Sequence, residues 1–469
     1  MKNKLISSFG WKFSERFLVQ VINLVIQIFL ARLIAPQHFG NLSLLVVIYN
    51  IADIFVQKGL SSSLIRKSEV KETDLNTTFW VSFAVAAVLY IAAFFLAPSF
   101  GAFFGETALI NPLRVLLLNL LIAPMYCVCN AILVRNMEFK TVFVCGVMSS
   151  VISGIIGIAM AYKGFGLWAL VAQTVSHQAV LLIAVQIKLR WKPGFSMSKD
   201  SFKEIFEFGK NVLITELMLS LVESLRSLLI GKKYSEEDLA YYDRGQIYPA
   251  TLMRAVNDTL FSILLPYFSK EKDNNETLIK KFHMCMYYTF LVLAPVFLGF
   301  ACVGKEFVLI FLTDKWLPAV NYITIFCIYQ VIFPVQIICK ILLYAKGNSK
   351  IVLKSEIVKS VLSFTLMIIA MFLGVEYIAA SLIIVRLTSD CLYYIAARKE
   401  MAQGLNIFRD IWRPAVASAI MIASVSVVNL LELSVWYSFV LKLFVGVISY
   451  SVSVIVLDRT LIKTFLKRR

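Results

Sequence analysis

Runs of about twenty apolar residues, separated by short polar connections, recur from one end of this chain to the other. Each run is long enough to cross a hydrocarbon core of about 30 Å as an α-helix. The pattern predicts spans at Ser7 to Ile34, Phe39 to Leu64, Asn76 to Ala97, Asn111 to Val134, Phe139 to Ala161, Phe165 to Leu189 and Ile205 to Gly231. It continues with Gln246 to Phe268, Phe282 to Val303, Leu317 to Leu343, Val352 to Leu373, Tyr377 to Ala397, Trp412 to Leu430 and Trp436 to Leu457, fourteen in all. No stretch alternates in the short, ten-residue manner of a membrane barrel strand. Helices are the remaining way to satisfy backbone groups in lipid, so the expected fold class is an all-α polytopic membrane protein.

Polar positions inside the spans suggest an internal repeat. Arg16, Gln20, Asn23 and Gln27 recur at intervals of 4, 3 and 4, and so do Glu216, Ser220, Glu223 and Ser227. At about 100° per residue each set forms one stripe on an otherwise apolar helix. The connection after each keeps step, Arg32 answering to Lys232, and Asp53 and Gln57 to Arg254 and Asp258. With six spans between the copies, the halves share one orientation, as in parallel-repeat transporters. The expected organisation is a six-helix bundle over 1–200, a second over 201–400, and two additional helices with a basic tail over 401–469. A cleft is expected between the bundles.

Composition and charge support the membrane reading and add an orientation. The chain is 59% hydrophobic and 16% charged, where soluble domains average roughly 45 to 50% and about 25%. The formal net charge of +17 is spread over short connections rather than displayed on a polar module, which argues against a nucleic-acid partner. Basic residues collect on the N-terminal side of the alternating connections, as in Arg66, Lys67 and Lys71, or Lys188, Arg190, Lys192, Lys199 and Lys203. The opposite connections offer only Arg32, Lys163, Lys232, Lys233, Arg244, Lys305 and Lys315. By the positive-inside rule both termini are expected in the cytoplasm. The N-terminal stretch lacks a convincing cleavage site, so a retained first helix is expected rather than a signal peptide.

Candidate chemistry lies in the ionisable residues within spans, each costing roughly 2.5 to 3.5 kcal/mol to insert. They are Arg16, Asp53, Lys58, Glu216, Glu223, Arg226, Arg254, Asp258, Lys340, Arg386 and Asp390. Glu223 with Arg226, Arg254 with Asp258, and Arg386 with Asp390 are spaced for pairing along one helical face. Such pairs either neutralise each other or line a wet cleft, and the stripes on the first, second, seventh and eighth helices favour a cavity wall. Asp53 and Glu223 are alternatively groups that titrate in a coupling cycle. The eight Cys and three His have no zinc or redox spacing, and the phosphate-loop, metalloprotease, nucleophile-elbow and dinucleotide motifs are absent. No metal, cofactor or catalytic residue is expected, and the protein is not expected to be an enzyme.

Several linear signatures carry a family resemblance. Gly59-Leu60-Ser61-Ser62-Ser63-Leu64-Ile65-Arg66-Lys67, Asp74-Leu75-Asn76-Thr77-Thr78-Phe79-Trp80, Ala97-Pro98 and Phe103-Phe104-Gly105 resemble the Wzx-like polysaccharide-unit exporters. These belong to the MOP superfamily, with the MATE drug extruders and the lipid II flippase. Phe9-Gly10-Trp11-Lys12, Leu30-Ala31-Arg32-Leu33-Ile34, Arg135-x-Met137-x-Phe139-Lys140, Gly166-Leu167-Trp168-Ala169-Leu170-Val171 and Leu343 to Lys350 resemble the same branch.

The resemblance implies a MATE-like fold and a flippase of the bacterial plasma membrane. Its substrate would be a polyprenyl-diphosphate-linked oligosaccharide, moved to the outer leaflet by alternating access for lipopolysaccharide or exopolysaccharide synthesis. Membrane lipid, a glycan polymerase and glycosyltransferases would be its partners. Arg16, Arg226, Arg254 and Arg386 are then expected to pair with headgroup phosphates, and Gln20, Asn23, Gln27 and Asn50 to line the cavity. Asp53, Glu216, Glu223, Asp258 and Asp390 are the coupling or gating candidates. Two other classes remain open at this point. Asp53, Glu216 and Glu223 suit an ion-coupled extruder of small organic cations, and a membrane glycan polymerase or acyltransferase would need an external loop or a His/Arg cluster that is not visible.

Overall fold

The computed structural model describes residues 2–67, 69–401 and 404–458, with side chains from residue 18 onward except at a few helix positions. Among the described residues every regular element is helical. The first half comprises α1 (Lys2–Leu33), α2 (Pro36–Asp53), α3 (Gly59–Arg66), α4 (Glu72–Phe104), α5 (Ile110–Leu116), α6 (Leu118–Arg135), α7 (Phe139–Tyr162) and α8 (Leu167–Leu189). Then follow α9 (Lys199–Lys233), α10 (Glu236–Ser269), α11 (Asn275–Phe307), α12 (Ala319–Ala345), α13 (Ser349–Ala370), α14 (Val375–Glu400), α15 (Phe408–Val428) and α16 (Val435–Leu457).

Among the described residues ten helical segments are long and apolar enough to cross a membrane, with α2 running on into α3 and α5 into α6 as one segment each. α9, α10 and α13 are continuous helices over three further expected spans. Their charged positions set them apart, as Lys354, Glu356 and Lys359 do in α13. The apolar part of α1 with described side chains is Leu18–Leu33. Apolar side chains stay exposed along α4, with Val88, Ile91, Phe95 and Leu96 all turned outward. A soluble protein rarely shows such a face, and here acyl chains would cover it. Arg244, expected in a connection, instead lies inside α10, buried against the Trp316 ring.

The chain forms two compact units, Met1–Ala240 and Tyr241–Arg469. In the first, α7 packs on α1 and α8, α6 on α4 and α8, and α9 lies against α2, α3 and α4. A Cβ at Gly40 would collide with the Glu236 carbonyl oxygen, so glycine is what lets α2 approach the start of α10. Asn76, buried at the start of α4, donates to Ser196 Oγ at 2.9 Å and accepts from Gly194 N at 2.9 Å. Trp80 Nε1 donates to Gly194 O at 2.9 Å. The α8–α9 connection is thus stitched to α4.

In the second unit α12 packs on α11 and α14, α13 on α14, and both α15 and α16 on α11. Phe268, Phe282, Phe290, Ile338, Leu342 and Tyr393 form its main apolar core. Polar ties dock the last two helices: His283 Nδ1 lies 2.6 Å from Asp410 Oδ2, Tyr287 donates to Asp458 at 2.7 Å, and Arg413 reaches the same carboxylate at 3.1 Å.

Matching turns close α6 and α12. Met137 (φ 57°) and Gly347 (φ 82°) are both left-handed. Met137 N donates to Val134 O and Glu138 N to Leu133 O, as Gly347 N does to Tyr344 O and Asn348 N to Leu343 O. This is the Schellman arrangement that satisfies a helix's last carbonyls. Two of the family-like signatures, Arg135 to Lys140 and Leu343 to Lys350, are therefore the same turn in different halves of the sequence.

Candidate functional site

A polar cluster inside the second unit arises from spacing. On α12, Tyr329, Phe333, Gln336 and Lys340 recur at intervals of 4, 3 and 4, which aligns them on one face. On α14, Arg386, Asp390 and Tyr393 repeat that register, and α13 contributes Glu356 and Lys359. Packing of α12 and α13 on α14 brings these rows together.

Arg386 is buried, at 4% exposure. Its guanidinium donates from Nη1 to Gln336 Oε1 and stacks 4.2 Å from the Tyr329 ring centroid and 4.5 Å from that of Phe333. Such cation–π contacts are worth about 2 kcal/mol when desolvated. Arg386 Nε has no hydrogen-bond partner among the described residues. The expected i,i+4 ion pair with Asp390 does not form, because Gln336 on the neighbouring helix takes the guanidinium instead.

Asp390 is 5% exposed, and neither of its oxygens has a hydrogen-bond partner among the described residues. Glu356, by contrast, is saturated. It pairs with Lys340 at 2.9 Å and Lys359 at 3.3 Å, and accepts the Tyr393 hydroxyl at 2.9 Å. Lys340 is thus engaged across helices, which explains a lysine in the middle of an apolar span. The cluster holds three cationic groups against two carboxyls, in a place where an unsatisfied polar atom is costly.

A second feature lies in the first unit, where α2 passes into α3 through a five-residue π turn, Ile54–Lys58. Such a turn widens the helix and frees carbonyls, and π turns cluster at functional sites. Ser82 Oγ donates to Val56 O at 2.6 Å and Cys127 Sγ to Gln57 O at 3.9 Å. Asp53 stands at the start of the turn, accepting from Gln57 Nε2 at 2.5 Å, with Tyr49 OH at 3.5 Å.

The remaining sequence candidates are scattered. Arg226 is buried and partnered, Gln27 is half-buried and partnered, and Asn23 and Glu216 are half-buried. Gln20, Asn50 and Glu223 are exposed. Arg254 is exposed too, folding back on Ala250 O at 3.4 Å and Thr251 Oγ1 at 3.5 Å. The side chains of Arg16 and Asp258 lie outside the described residues. Of all the candidates, the cluster contains Lys340, Arg386 and Asp390. Gln336, Glu356, Lys359 and Tyr393 were missed, although the 4, 3, 4 spacing on α12 is a signal that could have found Gln336.

Comparison with known proteins adds a family. A model described as "Polysaccharide biosynthesis protein" matches residues 29–321, more than half of the chain. The teichuronic acid biosynthesis protein TuaB of Bacillus subtilis is 25% identical over 284 residues, 60% of this chain and 59% of TuaB. The lipopolysaccharide biosynthesis protein WzxC of Escherichia coli is 21% identical over 408 residues, 86% of this chain and 82% of WzxC. The succinoglycan biosynthesis transport protein ExoT of Rhizobium meliloti is matched over 58% of its length, so the match spans under two thirds of both TuaB and ExoT. Among solved structures, the lipid II flippase MurJ in an inward closed conformation superimposes with a TM-score of 0.76 at 14% identity, over 96% of this chain and 99% of MurJ. An inward-facing MATE transporter of the MOP superfamily gives 0.62 at 15% identity, over 84% and 98%. These two likenesses establish the fold.

Proposed function

The chain belongs to the polysaccharide biosynthesis protein family, and from that premise we propose that it is a flippase for a polyprenyl-diphosphate-linked oligosaccharide. It carries the pyrophosphate and sugars from the cytoplasmic to the outer leaflet of a bacterial plasma membrane while the prenyl tail stays in lipid. The similarity to WzxC over 82% of that protein's length carries this reading. It is a transporter, and the chemistry on the glycan belongs to glycosyltransferases and a polymerase acting before and after it.

In this reading fourteen spans form two like-oriented bundles of six with two further helices, both termini lie in the cytoplasm, and the bundles alternate in access. Arg386 is the anchor best prepared for an anion, because its guanidinium is already stripped of water and held against two rings. Phosphate oxygens arriving there gain charge-assisted hydrogen bonds that bulk water would otherwise supply. Arg226, Arg254 and Arg16 extend the anionic path. Gln20, Asn23, Gln27 and Asn50 meet sugar hydroxyls, while Asp53, Glu216, Glu223 and Asp258 gate.

The test is reconstitution. Purified protein in liposomes should move a defined polyprenyl-diphosphate oligosaccharide between leaflets faster than protein-free vesicles. Equal rates would sink the proposal, and pH-gradient-driven efflux of an organic cation in its place would assign the chain to the drug-extruding branch.

A further inference from the structure

Two groups on α14 stand one turn apart with no hydrogen bond between them. Arg386 and Asp390 are neighbours by helix geometry, with Cβ atoms about 5 to 6 Å apart at that spacing. Yet the guanidinium goes to the neutral amide oxygen of Gln336 on α12, while both Asp390 oxygens lack a hydrogen bond among the described residues. An ionised carboxylate is a much stronger acceptor than an amide, since charge-assisted hydrogen bonds are roughly twice as strong as neutral ones. A buried carboxylate left bare beside an available donor is the least favourable arrangement these side chains can adopt. The choice Arg386 makes is the one expected when Asp390 carries no charge.

From this geometry we infer that Asp390 is a proton-binding site, and that its proton decides whether Arg386 ties α14 to α12 or folds back onto α14. With the proton on, Arg386 holds Gln336. When the O–H bond breaks and the proton passes to water, the carboxylate draws the guanidinium off Gln336 and away from the Tyr329 and Phe333 rings.

Among the described residues the cations nearest Asp390 other than Arg386 are already paired. Arg386 and, on α13, Lys359 act on Asp390 through space, but the Lys359 ammonium is paired with Glu356. On α12, Lys340 is paired with the same glutamate, and Cys339 is the other titratable neighbour. On α14 itself Tyr393 gives its hydroxyl to Glu356. A metal cation would need several oxygen ligands, and a guanidinium with two ammonium groups nearby opposes it. A proton needs one oxygen.

If the chain is the flippase proposed above, this switch alters a phosphate anchor in step with proton binding; that coupling rests on the functional reading, whereas the proton site does not. The direct test is infrared difference spectroscopy on the purified full chain between acid and alkaline pH. A protonated carboxyl band should be present at neutral pH, disappear on alkalinisation, and be missing from Asp390→Asn. At neutral pH the band should weaken in Gln336→Leu, which frees Arg386 to charge the carboxyl, and strengthen in Arg386→Gln, which removes the competing cation. These opposed responses distinguish a switch from a packing role, and they decide the matter even if the Asn variant does not fold. A band that survives Asp390→Asn, or responses in one direction, would overturn the site. In liposomes, a rate that falls at least tenfold when the pH gradient is collapsed, and no longer responds in Asp390→Asn, supports coupling; a rate indifferent to both removes it. No translocation by the unmodified protein would sink the flippase reading and leave the infrared outcome standing.

Discussion

Lys442 on α16 places its ammonium 2.5 Å from Glu306 Oε1 on α11, with 4% and 10% of the two side chains exposed. Ser438 adds a hydrogen bond to the same oxygen at 3.2 Å. An ion pair this deep does little for net stability compared with apolar side chains of the same size, because desolvation offsets the attraction. What it fixes is register: α16 docks on α11 only where the two charges meet.

That distinction gives a measurable asymmetry. Lys442→Met leaves Glu306 buried without a countercharge, and should destabilise the protein by about 3 to 5 kcal/mol. Glu306→Leu with Lys442→Met removes both charges and should recover most of that loss. Thermal unfolding of the purified variants in one detergent checks this, and a double variant no more stable than the single would show that the pair is more than a docking device.

On α4 the decisive contact is the quiet one. Asn76→Ala removes the buried amide oxygen that accepts from the half-buried Gly194 N–H, which costs about 1 kcal/mol or more. Glu204→Ala removes an ion pair to Lys67 whose carboxylate is 62% exposed, and such pairs contribute at most about 1 kcal/mol. Glu204, and Asp74 beside it, hold the Lys67 ammonium above the usual lysine range. A raised cation contributes its stability below the unfolded value and loses it as pH rises through the folded one, so this clamp stays intact across neutral pH. Melting curves at neutral and mildly alkaline pH should therefore rank Asn76→Ala well below Glu204→Ala at both.

What the sequence disclosed follows from what linear spacing can encode. Apolar runs and period 3.6 fix helices, so the all-α membrane fold was legible, and signatures such as Gly59 to Lys67 were enough to suggest the family. Spacing also nominated Arg386 and Asp390, but it predicted that they pair. The error is physical. An i,i+4 rule sees one helix, and Gln336, fifty residues earlier on α12, outcompetes a neighbour on the same helix once the two pack. Likewise Glu306 and Lys442, or His283 and Asp410, are separated by more than a hundred residues. Only tertiary contact makes them partners. The break at Ile54–Lys58 has no proline or glycine inside it to announce a departure from α-helix.

The paired turns after α6 and α12 predict opposite effects of one glycine. Met137 holds a left-handed conformation that costs a side chain about 1 kcal/mol, while Gly347 adopts it freely. Met137→Gly should stabilise the protein slightly, and Gly347→Ala should destabilise it by about 1 kcal/mol. The two melting shifts should have opposite signs, and agreement in sign would mean that the turns are not equivalent.

Arg386 is where charge and shape can be separated. Arg386→Lys keeps the positive charge but loses the planar fork that reaches Gln336 and the flat face that stacks on Tyr329 and Phe333. A lysine ammonium is compact and strongly hydrated, so it is a poor replacement in a dry, aromatic setting. If Arg386 anchors phosphate as a bidentate donor, the lysine variant should translocate a polyprenyl-diphosphate oligosaccharide about tenfold more slowly than the parent, the equivalent of roughly 1.4 kcal/mol, with Arg386→Gln slower still. If only its charge matters, lysine should restore nearly full transfer while glutamine does not. The measurement is leaflet-to-leaflet transfer in liposomes carrying equal amounts of folded protein. Parent-like rates in both variants would remove Arg386 from the transport path and leave it as the tie between α12 and α14.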